Sequence, residues 1–233
     1  MDASDVDQQL SSLAGLGDPI RRALYRYVAE RATPVSRDEA ANAAGISRPL
    51  AAYHLDKLVD DGLLEPRYQR RGGRRGPGAG RPAKHYVRAD RQLELSLPAR
   101  DYAALAELLA GAVEADPAGA AQAGLNRAAA ALGEELGTKA AEHTTPDGDP
   151  DQALTTLRRV LAARGYEPDE EAGTIRLRNC PFDRIAVHHR QLVCGANHAM
   201  LQALTDEVDG DPTVRAVLDP QPGRCCVVLT RDS

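Results

Sequence analysis

The cysteines carry the clearest chemical signal in this sequence. All four lie in the last quarter of the chain, as Cys180, Cys194 and the adjacent pair Cys225 and Cys226. The amino terminus lacks the basic region and apolar stretch of a secretory signal, so we expect a cytoplasmic protein. In that reducing compartment, cysteines are better suited to metal or redox chemistry than to structural disulfides. Since no C-x-x-C pair occurs, the spacing does not indicate a zinc ribbon or a thioredoxin-like motif.

Histidines near these cysteines extend the possible ligand set. His188 and His189 precede Cys194, and His198 follows it by four residues, on the same face if the segment is helical. Thiolates hold iron in [2Fe-2S] and [4Fe-4S] clusters, and imidazole can replace a thiolate. Three cysteines and one histidine, with His198 preferred, would complete such a site. Zinc bound by the same ligands and buried cysteines acting as small apolar side chains are the alternatives.

Basic residues are concentrated towards the other end of the chain. The formal net charge is -5, yet residues 1–91 hold 16 basic and 12 acidic side chains, so residues 92–233 hold 13 basic and 22 acidic ones. Residues 65–91 contain nine basic residues and only two acidic ones, Glu65 and Asp90. This asymmetry is typical of a nucleic-acid-binding module joined to a domain with another task. No window approaches the ~18 apolar residues of a membrane span, so we expect no membrane partner.

Helix signals predict where the basic module places its elements. Asp18-Pro19 begins a helix over 18–31, and the Ser36-x-x-Glu39 capping box begins a second that ends at Gly45. Ser47 caps a third helix over 48–61, in which Ala51, Leu55, Leu58 and Val59 form the inward face and His54 packs beneath. Strands at 63–68 and 84–88 flank a segment rich in Gly and Arg. The order predicts a helix-turn-helix followed by a long basic wing.

The third helix carries a specific resemblance. Residues 47–64 have the pattern S-x-x-x-x-x-x-H-L-x-x-L-x-x-x-G-L-L, which is similar to the recognition helix of bacterial ArsR/DeoR-type winged-helix repressors. The resemblance implies double-stranded operator DNA as partner and Arg48 as the reader of guanine. Lys57 would contact the DNA backbone, and the wing arginines would add salt-dependent affinity or enter the minor groove. The predicted DNA-binding residues are Ser47, Arg48, Pro49, Ala52, Tyr53, Lys57, Arg70, Arg71, Arg74, Arg75 and Arg81.

The rest of the chain predicts two further parts. Helical stripes in 98–143, broken near Asp116-Pro117, indicate two helices, which would either form a homodimer interface or pair within the chain. A turn-rich linker near 145 precedes a helix over 151–164, a long helix over 185–204, and strands over 173–178, 214–218 and 226–230. The expected fold class is α+β: a winged helix-turn-helix domain (1–91), a helical dimerisation segment (92–145) and a small α/β sandwich sensor domain (146–233).

The cysteine surroundings carry a second resemblance. Asn-Cys-Pro-Phe at 179–182, His-His-Arg-Gln-Leu-Val-Cys-Gly-Ala-Asn-His at 188–198 and the late cysteine pair resemble the sensor domain of SufR-type regulators. That family joins a DNA-binding domain to an iron-sulfur cluster. The resemblance implies Cys180 and Cys194 as two cluster ligands and Cys225 or Cys226 as the third, since neighbouring strand residues face opposite sides.

Together these patterns predict a homodimeric transcriptional regulator, expected to act as a repressor, that senses iron-sulfur or redox status and is not an enzyme. The cofactor would be a [4Fe-4S] or [2Fe-2S] cluster, with Zn as the alternative. A regulator that responds to zinc or to thiol oxidation, and a metabolite sensor whose cysteines are incidental, remain the other interpretations.

Overall fold

The structure, a computed structural model, describes residues 3–69, 82–93, 101–142, 150–171, 173–209 and 214–231. The chain forms two compact units, Met1–Arg100 and Asp101–Ser233. Within the described residues, no helix is both long and apolar enough to cross a membrane.

The first unit combines helices with a small antiparallel sheet in the order β1-β3-β2. Tyr86 of the central strand lies opposite Val35 on one side and Pro66 on the other. Its elements are α1 (Ala3–Gly15), α2 (Pro19–Ala29), β1 (Val35–Ser36), α3 (Arg37–Ala44), α4 (Arg48–Asp60), β2 (Leu64–Gln69) and β3 (Ala83–Arg88). This arrangement confirms the predicted helix-turn-helix with two wing strands.

Local capping explains where these helices begin and end. The Asp18 carboxylate accepts hydrogen bonds from the backbone N–H groups of Ile20 and Arg21, at 2.8 and 3.0 Å. Ser36 and Glu39 form the complete capping box at the start of α3, and Gly45 ends that helix in the left-handed conformation that glycine adopts most readily. Ser47 stands at the N-cap of α4, but its side chain makes no capping hydrogen bond, so that expectation is wrong.

The core of the first unit lies between α2, α4 and the sheet. Leu24, Leu55, Leu58 and Tyr86 are fully buried there. The sequence did not predict α1, which is joined to the end of α4 by a hydrogen bond of 2.7 Å from the Ser12 hydroxyl to the Asp61 carbonyl. Burial of α2 and α4 on one core fixes the face that α4 turns to solvent.

The second unit joins helices to a four-stranded antiparallel sheet in the order β4-β5-β7-β6. The predicted strands over 173–178, 214–218 and 226–230 are present as β5, β6 and β7, while β4 was not predicted. The elements are α5 (Tyr102–Glu114), α6 (Ala120–Ala141), α7 (Pro150–Ala163), β4 (Pro168–Glu171), β5 (Thr174–Leu177), α8 (Asp183–Ala186), α9 (Arg190–Asp209), β6 (Val214–Leu218) and β7 (Val227–Arg231).

Helices α6 and α9 pack closely along their lengths. A Cβ atom at Gly133 would lie 2.1 Å from the Met200 carbonyl oxygen, and one at Gly137 would lie 2.3 Å from Cβ of Glu207. Two glycines one turn apart therefore let the backbones approach. Helix α6 packs on α9, so α5 and α6 belong to the same compact unit as the four-stranded sheet. The boundary between the two compact units lies at residues 100 and 101, before α5, and not near residue 145.

Candidate functional site

The four cysteines meet in the core of the second unit, and we call Cys180, Cys194, Cys225 and Cys226 the sulfur centre. Cys225 and Cys226 belong to the buried core beside the sheet, and Cys180 and Cys194 pack against it. They arrive from three segments: the loop before α8, the first turns of α9 and the residues just before β7. The fold thus brings together side chains that lie up to 46 residues apart in the chain.

Cys194 and Cys226 form a disulfide, with Cα atoms 6.4 Å apart. The sequence favoured metal or redox chemistry over structural disulfides, and the thiol-oxidation alternative allowed a disulfide formed by Cys194, Cys225 or Cys226. The physical reason for this disulfide is the packing of α9 beside the sheet, which brings these Cα atoms within the range that a disulfide spans. In this structure neither sulfur of the pair is a free thiolate ligand.

Cys180 and Cys225 are free thiols that face each other. A hydrogen bond from Cys180 to the Cys225 sulfur lowers the pKa of Cys225, and burial opposes that shift. The same bond, followed by burial, raises the pKa of the Cys180 thiol. Cys180 therefore keeps its proton while Cys225 is the thiol that ionises first.

A buried polar chain supports Cys225. The Asn197 Nδ2 group donates to the Cys225 sulfur over 3.3 Å, and the Tyr166 hydroxyl donates to Asn197 Oδ1. Both Asn197 and Tyr166 are buried, and burial raises the pKa of the Tyr166 phenol. Because Tyr166 occupies the amide oxygen, it orients the amide so that the N–H group points at the sulfur.

The two cysteines of the adjacent pair have different partners. The sequence placed Cys226 inside the last strand and expected only one of the pair to face the site. The strand begins at Val227, however, and Cys225 and Cys226 lie before it, where strict alternation does not apply. Both side chains are buried in the same core, one bonded to Cys194 and the other beside Cys180.

The predicted histidine ligand His198 and the other candidate His189 have hydrogen-bond partners other than the cysteines. His198 Nε2 is 2.9 Å from the Ala216 carbonyl oxygen, so one ring nitrogen is directed at β6. His189 lies between two carboxylates, with Nδ1 2.8 Å from Glu114 and Nε2 3.0 Å from Glu107, and His188 is exposed. Within the described ranges, no three or more His, Cys, Asp or Glu side chains are arranged to hold a metal ion.

The His189 arrangement was not predicted from the sequence. A hydrogen bond to Glu114, followed by one to Glu107, raises the pKa of His189, because only the protonated ring donates from both nitrogens. Both glutamates lie on α5, and their spacing of seven residues puts them on the same face of that helix. His189 therefore links α5 to the segment just before α9. The signal in the sequence was the i, i+7 spacing of the two acids, but their partner is more than 70 residues away.

In the first unit, α4 presents the face that the sequence assigned to DNA. Ser47, Arg48, Pro49 and Tyr53 are exposed, and Ala52 is half-buried. Ala51, Leu55 and Leu58 are fully buried on the opposite face, and His54 is buried with its ring edge-on to Tyr53. The helix therefore turns its amino-terminal polar face outward, as a groove-reading helix does.

Arg48 is held in a defined position. Its Nε atom lies 2.6 Å from a carboxylate oxygen of Asp38 on α3, and 63% of its side chain is exposed. Arg48 also lines a polar groove of about 550 Å³ with Arg37 and Lys84. Arg37 and Lys84 also pair with Asp56, and Arg48 pairs with Asp38, so the three cations exceed their two carboxylate partners by one charge. This excess positive charge favours a phosphate backbone. Lys57 lies further along α4, 3.5 Å from Asp60.

A polar network that the sequence did not reveal joins the recognition helix to the wing. The Asp56 carboxylate on α4 accepts hydrogen bonds from Lys84 (2.6 Å), Tyr86 (2.7 Å) and Arg37 (3.2 Å). Burial alone would raise the pKa of Asp56, but the bonds from Lys84 and Tyr86 hold it below its usual value. Burial and the bond to Asp56 raise the pKa of Tyr86 to about 12. Asp56 thus fixes α4 relative to α3 and β3.

The wing tip lies outside the described residues. That segment contains the predicted DNA contacts Arg70, Arg71, Arg74, Arg75 and Arg81.

Comparison with known families gives one match. Residues 16–67 match the family of the helix-turn-helix domain. The matched range spans α2, α3, α4 and part of β2, which supports a winged-helix DNA-binding module of a transcriptional regulator. No curated protein and no solved structure shows a significant match to the chain.

Proposed function

We propose that this winged-helix regulator senses redox or iron-sulfur status through the sulfur centre and that the state of the centre controls operator binding. The observation that carries the proposal is the convergence of all four cysteines of the chain from three separate segments. This convergence sets two free thiols and one disulfide in one region of the core, although the cysteines come from three separate segments.

The sulfur centre has two chemically defined forms. In the oxidised form the Cys194–Cys226 bond links α9 to the start of β7. Two electrons and two protons convert that bond into two thiols, so the reduced centre holds four thiols in place of two. Reduction removes the covalent link between α9 and β7, which is a change in the packing of the second unit.

The reduced centre has the donor set of an iron-sulfur site. Four cysteine thiolates are the usual ligands of [2Fe-2S] and [4Fe-4S] clusters, and Cys180, Cys194, Cys225 and Cys226 would hold the group. The donor chemistry fits only after the disulfide is reduced, since a sulfur in a disulfide is not a thiolate. In the oxidised form the described side chains are not arranged to hold a metal ion, so the four thiols would have to draw together when the disulfide is reduced. A bound cluster would supply reversible electron transfer and sensitivity to iron and oxidants. Asn197, through its bond to Cys225, would orient one ligand.

The regulator is proposed to act as a homodimer through α5. Tyr102, Leu105 and Leu108 are 69%, 54% and 73% exposed on this helix. A helix that is apolar on its outer as well as its inner face is normally covered by a partner. Two copies joined through α5 would present two recognition helices to two half-sites of an operator. Light scattering should report a dimer, and Leu108→Glu should shift it to a monomer.

The coupling to DNA would be a matter of differential affinity. If one form of the sulfur centre favours the arrangement of the dimer that fits the operator, the two forms differ in operator affinity by that coupling free energy. Couplings of this kind typically change affinity by about 5- to 150-fold. Oxidation or iron shortage would then release the promoter, as expected of a repressor.

The test is anoxic purification of the full-length protein. We expect visible absorbance with iron and sulfide in stoichiometric amounts, and a change in operator affinity when the centre is oxidised. A colourless protein with one zinc per chain, and the same operator affinity with and without zinc, would reject iron-sulfur sensing.

Two variants separate sensing from DNA binding. Cys180→Ser should retain operator binding but lose its response to oxidation. Arg48→Ala should lose operator binding and retain the thiol content and metal content of the wild type. If Cys180→Ser responded normally, iron-sulfur sensing through Cys180 would be rejected, and only a switch through the Cys194–Cys226 disulfide would remain.

A second candidate is a thiol switch without metal, and the disulfide itself favours it. In that case thiol titration of metal-free protein should count two thiols before reduction and four after it, and operator affinity should follow the count. An operator affinity that changes only when iron is present would reject this candidate and leave the iron-sulfur form.

A further inference from the structure

An apolar cavity of about 450 Å³ opens between helices of the second unit. Its walls come from α5, α6, α8 and α9, and it reaches the buried residues Ala110, Leu192 and Met200. Among the described residues that line it, Asn197 alone has a polar side chain. The cavity is open to solvent on one side, and its lining residues Leu109 and Phe182 are exposed there.

Alanines create the space. Ala106 and Ala110 of α5 face Ala128 and Ala129 of α6 and Ala196 of α9 across the cavity. Because an alanine side chain ends at Cβ, helices at ordinary spacing leave volume between them at these positions. Larger apolar side chains surround the alanines, so the surface of the cavity is that of a hydrocarbon-binding site.

The single polar side chain is already satisfied. Asn197 Oδ1 accepts from Tyr166, and Nδ2 donates to the Cys225 sulfur. A ligand in the cavity therefore finds neither a free hydrogen-bonding side chain nor a charge among the lining residues. A charged or strongly polar group placed there would lose its hydration without compensation.

The size of the cavity indicates what occupies it. A stable protein interface needs about 800 Å² from each partner, and the surface that lines this cavity is far smaller than that. Small-molecule sites, by contrast, have volumes of about 300–1,000 Å³ and are mostly apolar. We propose that the cavity binds an uncharged, hydrocarbon-rich small molecule.

Such a ligand would lie directly beside the sulfur centre. Phe182, which lines the cavity, follows Cys180 by two residues, and its ring lies edge-on to Tyr166 with centroids 6.4 Å apart. Asn197 forms part of the cavity floor and contacts Cys225. A ligand in the cavity could therefore act on the same region of the protein as the sulfur centre. Binding of that ligand would not require a metal at the sulfur centre.

Fluorescence titration of the full-length protein with N-phenyl-1-naphthylamine, an uncharged apolar probe, tests the proposal. Wild-type protein should bind one probe per chain with saturation. Ala128 lines the exposed edge of the cavity, so Ala128→Phe adds a ring at its opening and should weaken binding about tenfold, the effect of losing burial of about two methylene groups. Ala131→Phe is the matched control, because Ala131 is an exposed alanine on α6 that does not line the cavity. Its affinity for the probe should equal that of the wild type.

Three results would overturn the proposal. They are the absence of saturable binding to wild-type protein, equal affinity in Ala128→Phe and wild type, and loss of probe binding in Leu108→Glu together with loss of the dimer. The last would show that the probe reads an interface between copies. If Ala128→Phe does not fold by circular dichroism, Ala106→Leu on α5 takes its place. Because the titration involves neither DNA nor metal, its failure is distinct from failure of the proposed function.

Discussion

Among the polar side chains described in the DNA-binding unit, we expect the loss of Asp56 to cause the largest fall in local stability. Asp56→Ala removes the acceptor shared by Lys84, Tyr86 and Arg37. The three donors come from β3 and α3, so the substitution breaks the polar link between the recognition helix and the wing. We expect α4 and β3 to open together more often.

The magnitude follows from the exposure of each partner. Tyr86 is fully buried, and a buried hydroxyl that loses its acceptor costs about 1 to 2 kcal/mol. The Asp56 side chain is 43% exposed, so solvent screens its ion pairs with Lys84 and Arg37, which add about 0.5 kcal/mol or less each. The free energy of opening should therefore fall by about 2 kcal/mol. That change corresponds to amide exchange about 30-fold faster.

Hydrogen exchange measured by mass spectrometry provides the assay, with peptides from the second unit as the internal reference. Asp60→Ala is the matched control, since Asp60 lies on the same helix and its side chain is 68% exposed and paired with Lys57. It should change exchange less than threefold. Because folding lowers the pKa of Asp56, its contribution is present above about pH 4 and is lost as pH falls through the folded-state pKa. Unchanged exchange of α4 and β3 in Asp56→Ala would refute this account of the network.

Other predictions concern the recognition helix, α5 and the disulfide. Arg48→Ala should weaken operator binding about 5- to 150-fold and relax preference at one base pair, whereas Lys57→Ala should weaken binding to all duplexes equally; competition titrations with operator and random DNA distinguish the two. Since folding raises the pKa of His189, its link to α5 is complete below about pH 6.5 and is lost as pH rises through the folded-state pKa. Exchange of α5 amides, corrected for intrinsic rates, should therefore quicken as the pH rises above about 6.5 in the wild type and not in His189→Gln. Reduction of the Cys194–Cys226 bond, which closes a loop of 32 residues, should lower the free energy of unfolding of the second unit by about 3 to 4 kcal/mol; equal urea midpoints with and without reductant would contradict this.

Local signals were sufficient to predict the winged helix. The Asp18 cap, the Ser36 and Glu39 capping box and the Gly45 stop act within one helical turn, so a reader of the sequence can locate α2, α3 and α4 from neighbouring residues alone. The 3.6-residue period of Ala51, Leu55 and Leu58 likewise determined which face of α4 is buried and which is exposed.

Long-range contacts could not be predicted in the same way. Asp56 meets Lys84 and Tyr86 across 28 and 30 residues, and its partners depend on the register of β3 beside α4. We expected α6 to pair in a dimer interface or in a hairpin within the chain. Instead, Gly133 and Gly137 let α6 pack closely on α9, and the helical period of α6 does not indicate which helix it will contact.

The cysteines show the same division most clearly. From the sequence alone, the number of cysteines and their position in the last part of the chain were already determined. Which sulfur meets which was decided by the tertiary structure, because pairing depends on the few ångströms between segments of the backbone, and those distances arise only when α9 packs against the sheet.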